Sequence, residues 1–564
     1  MNARKRTAGS LYDMPISRRA WLDGTMKLTG AAVVTSALPG IAGCAATMLQ
    51  NREPVVDTAS GKVRGALHEG VYSFKGIPYG GGTSGANRFQ PATAITWAGV
   101  RDALDYGPRA PQNERPSSMP HLAWIRDTRP YSEDCLVLNI FTPAIGDAAK
   151  HPVMVYIHGG GFATGASSAA GLDGSNLARH GDVVLVSLNH RLNLFGHLYL
   201  AGAGSRYADS GNVGMLDIVA ALRWVQTNIA RFGGDPSNVT IFGQSGGASK
   251  VAVLMAMPQA RGLFHKAIVQ SASSLLTMAT PEAAQRNTYY FLRQLGLDET
   301  KIDALHALPT ETLLKAMPAA VKAAGSIDNY RPVVDGRALT AHPFEPTAPR
   351  VSADVPMIIG WCETEARFAF SQAPQNLKLD MGQVRARVAR FVGIPESEAD
   401  KLIQAYRKQR PNDTPGDIFA LIHGDHMYRR SVTRAAELKA AEGRAPAYLY
   451  LFNWKTPVLD GMLRTPHTIC IPFAFGNVDI ASGITCNGAD RYRVQEQVMG
   501  AWVAFARTGN PNHAKLPTWK PYSTTDRPTM VFDTESRLVN DPAREERLAF
   551  ESYPRYAMEE VGRR

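Results

Sequence analysis

From about Glu53 onward, short apolar runs alternate with longer stretches of helical spacing. The runs are PVMVYI at Pro152 to Ile157, DVVLVSL at Asp182 to Leu188, KAIVQS at Lys266 to Ser271, PMIIG at Pro356 to Gly360 and AYLYLFNW at Ala447 to Trp454. None alternates cleanly between apolar and polar residues, so each predicts a strand covered on both faces. Between them the pattern predicts a helix from about Gly214 to Ala230 and another through Val251, Val253, Leu254 and Met255. Strands and helices in turn imply an α/β fold, a mostly parallel sheet with helices on both sides. The stretch from about Pro281 to Ala348 predicts helices and loops that decorate this sheet. No long linker, repeat or low-complexity segment interrupts residues 53–564, which read as a single domain.

Composition changes this picture little, because 45% hydrophobic and 20% charged residues in a chain of 564 describe an ordinary globular protein. Large α/β enzymes reach such a length as one unit. The net charge of +11 is partly local: residues 1–43 carry six basic and two acidic groups, which leaves +7 for the rest. No dense basic run with interleaved aromatics follows, which argues against nucleic-acid binding.

Residues 1–43 read as a leader and 44–52 as a linker. Ser17, Arg18, Arg19, Ala20, Trp21 and Leu22 form a twin-arginine box, and a weakly apolar run from Leu28 to Gly43 follows it. That run is too short, and too rich in Gly, Ser and Thr, to span a membrane. It ends in Ile41, Ala42, Gly43 and Cys44, which resembles a bacterial lipobox. Two outcomes are open: Cys44 becomes a lipidated first residue that anchors the protein to a membrane surface, or cleavage beside Ala46 leaves no lipid. Both imply a bacterial protein exported by the twin-arginine route, either periplasmic or held as a lipoprotein. Export after folding fits the cysteines, since Cys135, Cys362, Cys470 and Cys486 form no close-spaced metal pattern and fold under reducing conditions.

Candidate chemistry centres on FGGDPSNVTIFGQSGG at Phe232 to Gly247. A β-branched run, Val239 to Ile241, leads into a GxSxG pentapeptide at Gly243 to Gly247, and a helix follows. At such a turn the neighbouring glycines remove Cβ atoms that would clash, so Ser245 projects as a nucleophile would. A second glycine cluster, HGGGF at His158 to Phe162, follows the PVMVYI strand directly. Three glycines leave the backbone free to aim amide hydrogens at a tetrahedral oxyanion, although alone such a loop is simply a flexible turn.

On these segments the chain resembles the type-B carboxylesterases, the cholinesterase and carboxylesterase branch of the α/β-hydrolases. SEDCLVLNI at Ser132 to Ile140, FKGIPYG at Phe74 to Gly80, SLNHRLNLFG at Ser187 to Gly196 and FARTGNP at Phe505 to Pro511 also match, so the likeness runs from about Gly61 to Pro542. The resemblance implies an α/β-hydrolase domain without cofactor or metal, and a Ser, acid, His order along the chain. Glu363 and Glu365 both follow the PMIIG strand, and the family's spacing, five residues after the strand-end glycine, selects Glu365. Downstream lie His423, His426, His467 and His513; the first two sit in a helical pattern, the last in a polar loop. His467 stands nine residues before Gly476, as the family's histidine does before its glycine. The implied site is therefore a Ser245, His467, Glu365 triad with an oxyanion hole of the Gly160, Gly161 and Gly246 amides.

Three positions depart from the family pattern. Ala110 replaces a cysteine that pairs with the one in SEDCL, which leaves Cys135 without a partner. Gln244 replaces the glutamate that cholinesterases carry before the nucleophile, which argues against choline esters. Cys470 stands where relatives often have an acid. The expected function is a serine carboxylesterase acting on uncharged carboxylic esters, as small-molecule substrates, through an acyl-enzyme. Two alternatives remain: a related acyl or carbamate hydrolase, and a non-catalytic binding protein of the same fold. Phe162, Trp361 and Phe473, next to the motifs, are candidate pocket walls or core residues.

Overall fold

A computed structural model of the chain describes residues 53–113, 119–325 and 330–556. The leader, the linker and Cys44 lie outside them. From Glu53 onward the described residues form one compact unit.

Its frame is an eleven-stranded sheet. In chain order the strands are β1 (Ala66–His68), β2 (Val71–Pro78), β3 (Val137–Thr142), β4 (His151–Ile157), β5 (Val184–Leu188) and β6 (Gly234–Gln244). They continue as β7 (Lys266–Gln270), β8 (Met357–Cys362), β9 (Ala447–Phe452), β10 (Pro528–Phe532) and β11 (Arg537–Asn540). Across the sheet the order is β11, β10, β9, β8, β7, β6, β4, β5, β3, β2, β1. The seven strands from β10 to β5 pair in parallel, and antiparallel strands close both ends. A separate small sheet joins Val55–Thr58, Gly61–Arg64 and Val100–Asp102.

The parallel strands sort their side chains between two cores, which explains their unbroken hydrophobicity. Val153, Val155, Val184, Val186, Val239, Ile241, Ile359 and Leu449 face one core. That core is closed by helices α1 (Val213–Asn228), α2 (Gly246–Ala256) and α3 (Arg430–Glu442). Met154, Tyr156, Leu185, Phe242, Ile358 and Tyr450 face the other, closed chiefly by α4 (Asp490–Thr508). Between β8 and β9 the chain makes a helical excursion, residues 367–442, with a core of its own around Val388, Leu402, Ile403, Tyr406 and Ile418.

The nucleophile strand starts earlier than the β-branched run suggests. Its pairing with β4 jumps from His151↔Gly234 to Val153↔Val239, so Asp235 to Asn238 are taken up in a bulge. The helical reading of 281–348 holds at Pro281–Gln294 and Thr310–Ala324. Two of the matching segments contribute buried ion pairs instead of chemistry. Glu133 of SEDCL binds Arg88 at 2.6 Å, and Arg191 of SLNHR binds Asp217 at 2.6 Å. Cys135, Cys362, Cys470 and Cys486 are all free thiols, and Ala110 shares a core with Cys135.

Candidate active site

Strand β6 ends at Gln244 and α2 begins at Gly246, so Ser245 alone makes the turn between them. Its backbone is held at φ 59° and ψ −126°, a conformation a side-chain-bearing residue adopts only where its surroundings enforce it. The enforcing contacts are backbone: Ser245 N donates to Gln270 O at 2.8 Å on β7, and Ser245 O accepts from Ser249 N at 3.0 Å. From Val239 to Met257 every residue is buried except Ser245.

The HGGGF loop leaves the C-terminal end of β4, the strand next to β6, and runs beside this turn. A methyl group at Gly246 would stand 2.2 Å from Gly161 O, so the two backbones meet only because Gly246 lacks one. Gly160 and Gly161 take φ values of 91° and 64°. The carbonyls of the loop are tied back. Gly159 O receives His158 Nδ1–H at 2.9 Å, and Gly160 O receives the amides of Ala163 and Thr164 at 3.3 and 3.0 Å. In a trans peptide N–H points opposite to C=O, so the amides of Gly160 and Gly161 are turned away from those ties.

Glu365 and His467 come from loops after the adjacent parallel strands β8 and β9. Those loops are stitched together: Thr364 N donates to Thr465 O at 3.1 Å, Thr465 N to Thr364 Oγ1 at 2.8 Å, and His467 N to Glu365 O at 3.3 Å. The side chains meet as well, with His467 Nδ1 2.5 Å from Glu365 Oε2. The other carboxylate oxygen, Oε1, accepts the Cys362 amide at 2.7 Å. Glu365 is thus fully buried and has both oxygens engaged, an arrangement that fixes which imidazole nitrogen carries hydrogen.

Glu363, the competing acid, points elsewhere and pairs with Arg410 at 3.0 Å. The other histidines are also accounted for. His423 stacks on Phe391 with ring centres 4.0 Å apart, His426 stacks on Phe550 at 5.8 Å, and His513 Nε2 contacts Gln497 O at 3.0 Å. Only His467 meets an acid beside the nucleophile turn. Gln244 makes that link: its Nε2 lies 3.3 Å from His467 Nδ1 and 3.2 Å from His467 Nε2. Near-equal distances put this neutral amide against the ring instead of along one lone pair.

Several neighbours escape sequence reasoning. Tyr428 lies 4.7 Å from the His467 ring and Phe368 5.9 Å, whereas the three aromatics named from the motifs are core residues. Phe162 packs edge-on to His197, Trp361 lies beside Arg429, and Phe473 sits between Phe452 and Trp454. Cys470 is buried behind the site, its sulfur accepting Gln270 Nε2 at 3.4 Å. Among the described residues no three His, Cys, Asp or Glu side chains converge so as to hold a metal ion.

Residues 52–551 match the family model described as Carboxylesterase family. The chain is 36% identical over 507 residues to phenmedipham hydrolase from Pseudarthrobacter oxydans, covering 88% of this chain and 98% of that protein. It is 36% identical over 501 residues to para-nitrobenzyl esterase from Bacillus subtilis, covering 87% and 97%. Among solved structures, a carboxylesterase from Geobacillus stearothermophilus superposes with a TM-score of 0.77 at 38% identity, covering 88% of this chain and all of that one. That likeness identifies the sheet and its helices as the α/β-hydrolase fold.

Proposed function

The chain belongs to the carboxylesterase family, a serine hydrolase of carboxylic esters, and from that premise we propose how its own residues divide the work. Ser245 Oγ attacks the ester carbonyl carbon while His467 Nε2 takes its proton. Glu365 holds the Nδ1–H tautomer and offsets the imidazolium charge. The amides of Gly160, Gly161 and Gly246 receive the oxyanion; one such donor is typically worth about 2.7 to 4 kcal/mol of transition-state stabilisation. The tetrahedral intermediate collapses as His467 returns the proton to the leaving alkoxide, which frees the alcohol and leaves Ser245 acylated. Water then repeats the attack, the carboxylic acid departs, and Ser245 regains its proton.

The observation that carries this reading is the 2.5 Å contact between His467 Nδ1 and Glu365 Oε2, beside a serine held at positive φ. The substrate class we assign is an uncharged carboxylic ester. Gln244 contributes no charge next to the nucleophile, so a quaternary ammonium alcohol finds no carboxylate there. Hydrolysis of short-chain nitrophenyl esters tests the reading: Ser245→Ala should abolish it while the folded protein keeps its thermal midpoint. A variant that retains near wild-type rates would remove Ser245 from the mechanism. The phenmedipham hydrolase likeness makes that compound the second substrate to assay, alongside matched amides.

A further inference from the structure

Lys250 is an isolated charge on α2, in a helix otherwise built of apolar and small residues, and it is completely buried. Its ammonium donates to His158 O at 3.1 Å and to Gly161 O at 2.8 Å. It also lies 5.6 Å from the centre of the Phe162 ring. His158 and Gly161 are the residues on either side of the two peptide units that present the Gly160 and Gly161 amides. The ammonium therefore brackets those units, holding the carbonyl that precedes them and the one that follows.

The rest of the loop depends on the same point. His158 Nδ1–H fixes Gly159 O, which requires the hydrogen of the imidazole to sit on Nδ1. Burial first, and then the charge of Lys250, lower the His158 pKa to about 3. Four residues before Lys250, on the same face of α2, stands Gly246, whose backbone packs on Gly161 O. One helix thus supplies a proposed donor and the clamp that sets the other two.

We propose that Lys250 is a positioning residue for the oxyanion hole, its ammonium holding the 158–162 loop so that the Gly160 and Gly161 amides face the carbonyl oxygen of the bound ester. This rests on the roles assigned above to Ser245 and the glycines. Rates are sensitive to such placement, since a misplacement of about 1 Å can cost on the order of 100-fold. A clamp on the hole also acts on the transition state more than on bound ester, and this separates it from a residue that only stabilises the fold.

The test compares Lys250→Met, which keeps the buried stem, Lys250→Gln, which keeps one donor group, and Lys439→Met. Lys439, near the end of α3, is a comparably buried lysine whose ammonium binds the backbone carbonyls Ser352 O and Ala353 O and also pairs with Glu442 at 3.6 Å. With a nitrophenyl butyrate, kcat of Lys250→Met should fall by about 10- to 100-fold with KM within about threefold, and Lys250→Gln should lie between it and wild type. The inhibition constant of phenylboronic acid, which places a tetrahedral oxyanion on serine, should weaken in step with kcat. Lys439→Met should lose thermal stability and keep kcat. Folded Lys250→Met with wild-type kcat, or an unchanged boronic acid constant beside a lowered kcat, overturns the inference. Failure of both Lys250 variants to fold would make the residue a determinant of the whole fold and would overturn it too. Should Ser245→Ala stay active, it is the underlying catalytic assignment that fails; an inactive Ser245→Ala beside a fully active Lys250→Met defeats the clamp alone.

Discussion

Acidification from about pH 7 to about pH 5 should weaken this protein chiefly through four buried histidines, and one of them offers a clean subtraction. Burial holds His158 and His197 down to about 3 and His423 to about 4, and it pushes His190 well below its ordinary value, with Lys250 adding to the effect at His158 and His190. All four are uncharged in the folded chain across that range, whereas in the unfolded chain each takes up a proton below about 6.5. Their lowered pKa values mean that full stability is present above about pH 6.5 and is lost as pH falls toward 3. His158, His197 and His423 should each remove about 2 kcal/mol between pH 7 and pH 5, and His190 adds a loss of the same sign, against the total stability of about 5 to 15 kcal/mol usual for a folded protein. His423 is the one to change, because it stacks flat on Phe391 in the excursion and makes no contact with the triad. In His423→Phe, urea midpoints at the two pH values should show a loss about 2 kcal/mol smaller than in the parent at unchanged m-value. Carboxylate titrations are common to both proteins and cancel in the difference. An equal pH-dependent loss in parent and variant would refute the reasoning.

Three further outcomes are expected. Glu365→Gln should lower kcat by about four orders of magnitude, as loss of the tautomer-setting acid does elsewhere, whereas Glu363→Gln should cost stability through Arg410 and leave kcat within a few-fold; steady-state kinetics on both variants decides between them. A reductant should leave the thermal midpoint unmoved, since Cys135, Cys362, Cys470 and Cys486 are thiols, and a downward shift on adding dithiothreitol would contradict this. For the leader we propose twin-arginine export with lipidation at Cys44: Arg18→Lys with Arg19→Lys should strand active enzyme in the cytoplasm, and Cys44→Ala should release it from the membrane fraction. Export of the double lysine variant would defeat the first part, and a wholly soluble wild-type protein the second.

The strands were legible because a parallel sheet buried on both faces leaves runs such as PVMVYI with no other explanation, and the serine turn was legible because its glycines have a local cause. The choice between Glu363 and Glu365 was not local: two acids one residue apart both read as loop glutamates, and only Arg410, forty-seven positions away, draws one of them off. The aromatics beside the imidazole escaped for a related reason. Phe162, Trp361 and Phe473 adjoin the motifs in sequence, but Phe368 and Tyr428 reach His467 because the excursion folds back on it. Lys250 did carry a signal, a single charge in an apolar helix, which the hydrophobic pattern passes over.

The hydrogen bonds between Thr364 and Thr465 have a consequence for how the surroundings of the imidazole can vary. They tie the loop after β8 directly to the loop after β9, whereas residues 367–442 leave that end of the sheet and return to the start of β9 at the opposite end. Phe368 and Tyr428, the residues the excursion sends to the imidazole, stand on a part of the chain that this clasp does not use. Exchanging either side chain would therefore redraw the surroundings of His467 while the clasp keeps Glu365 and His467 in their places.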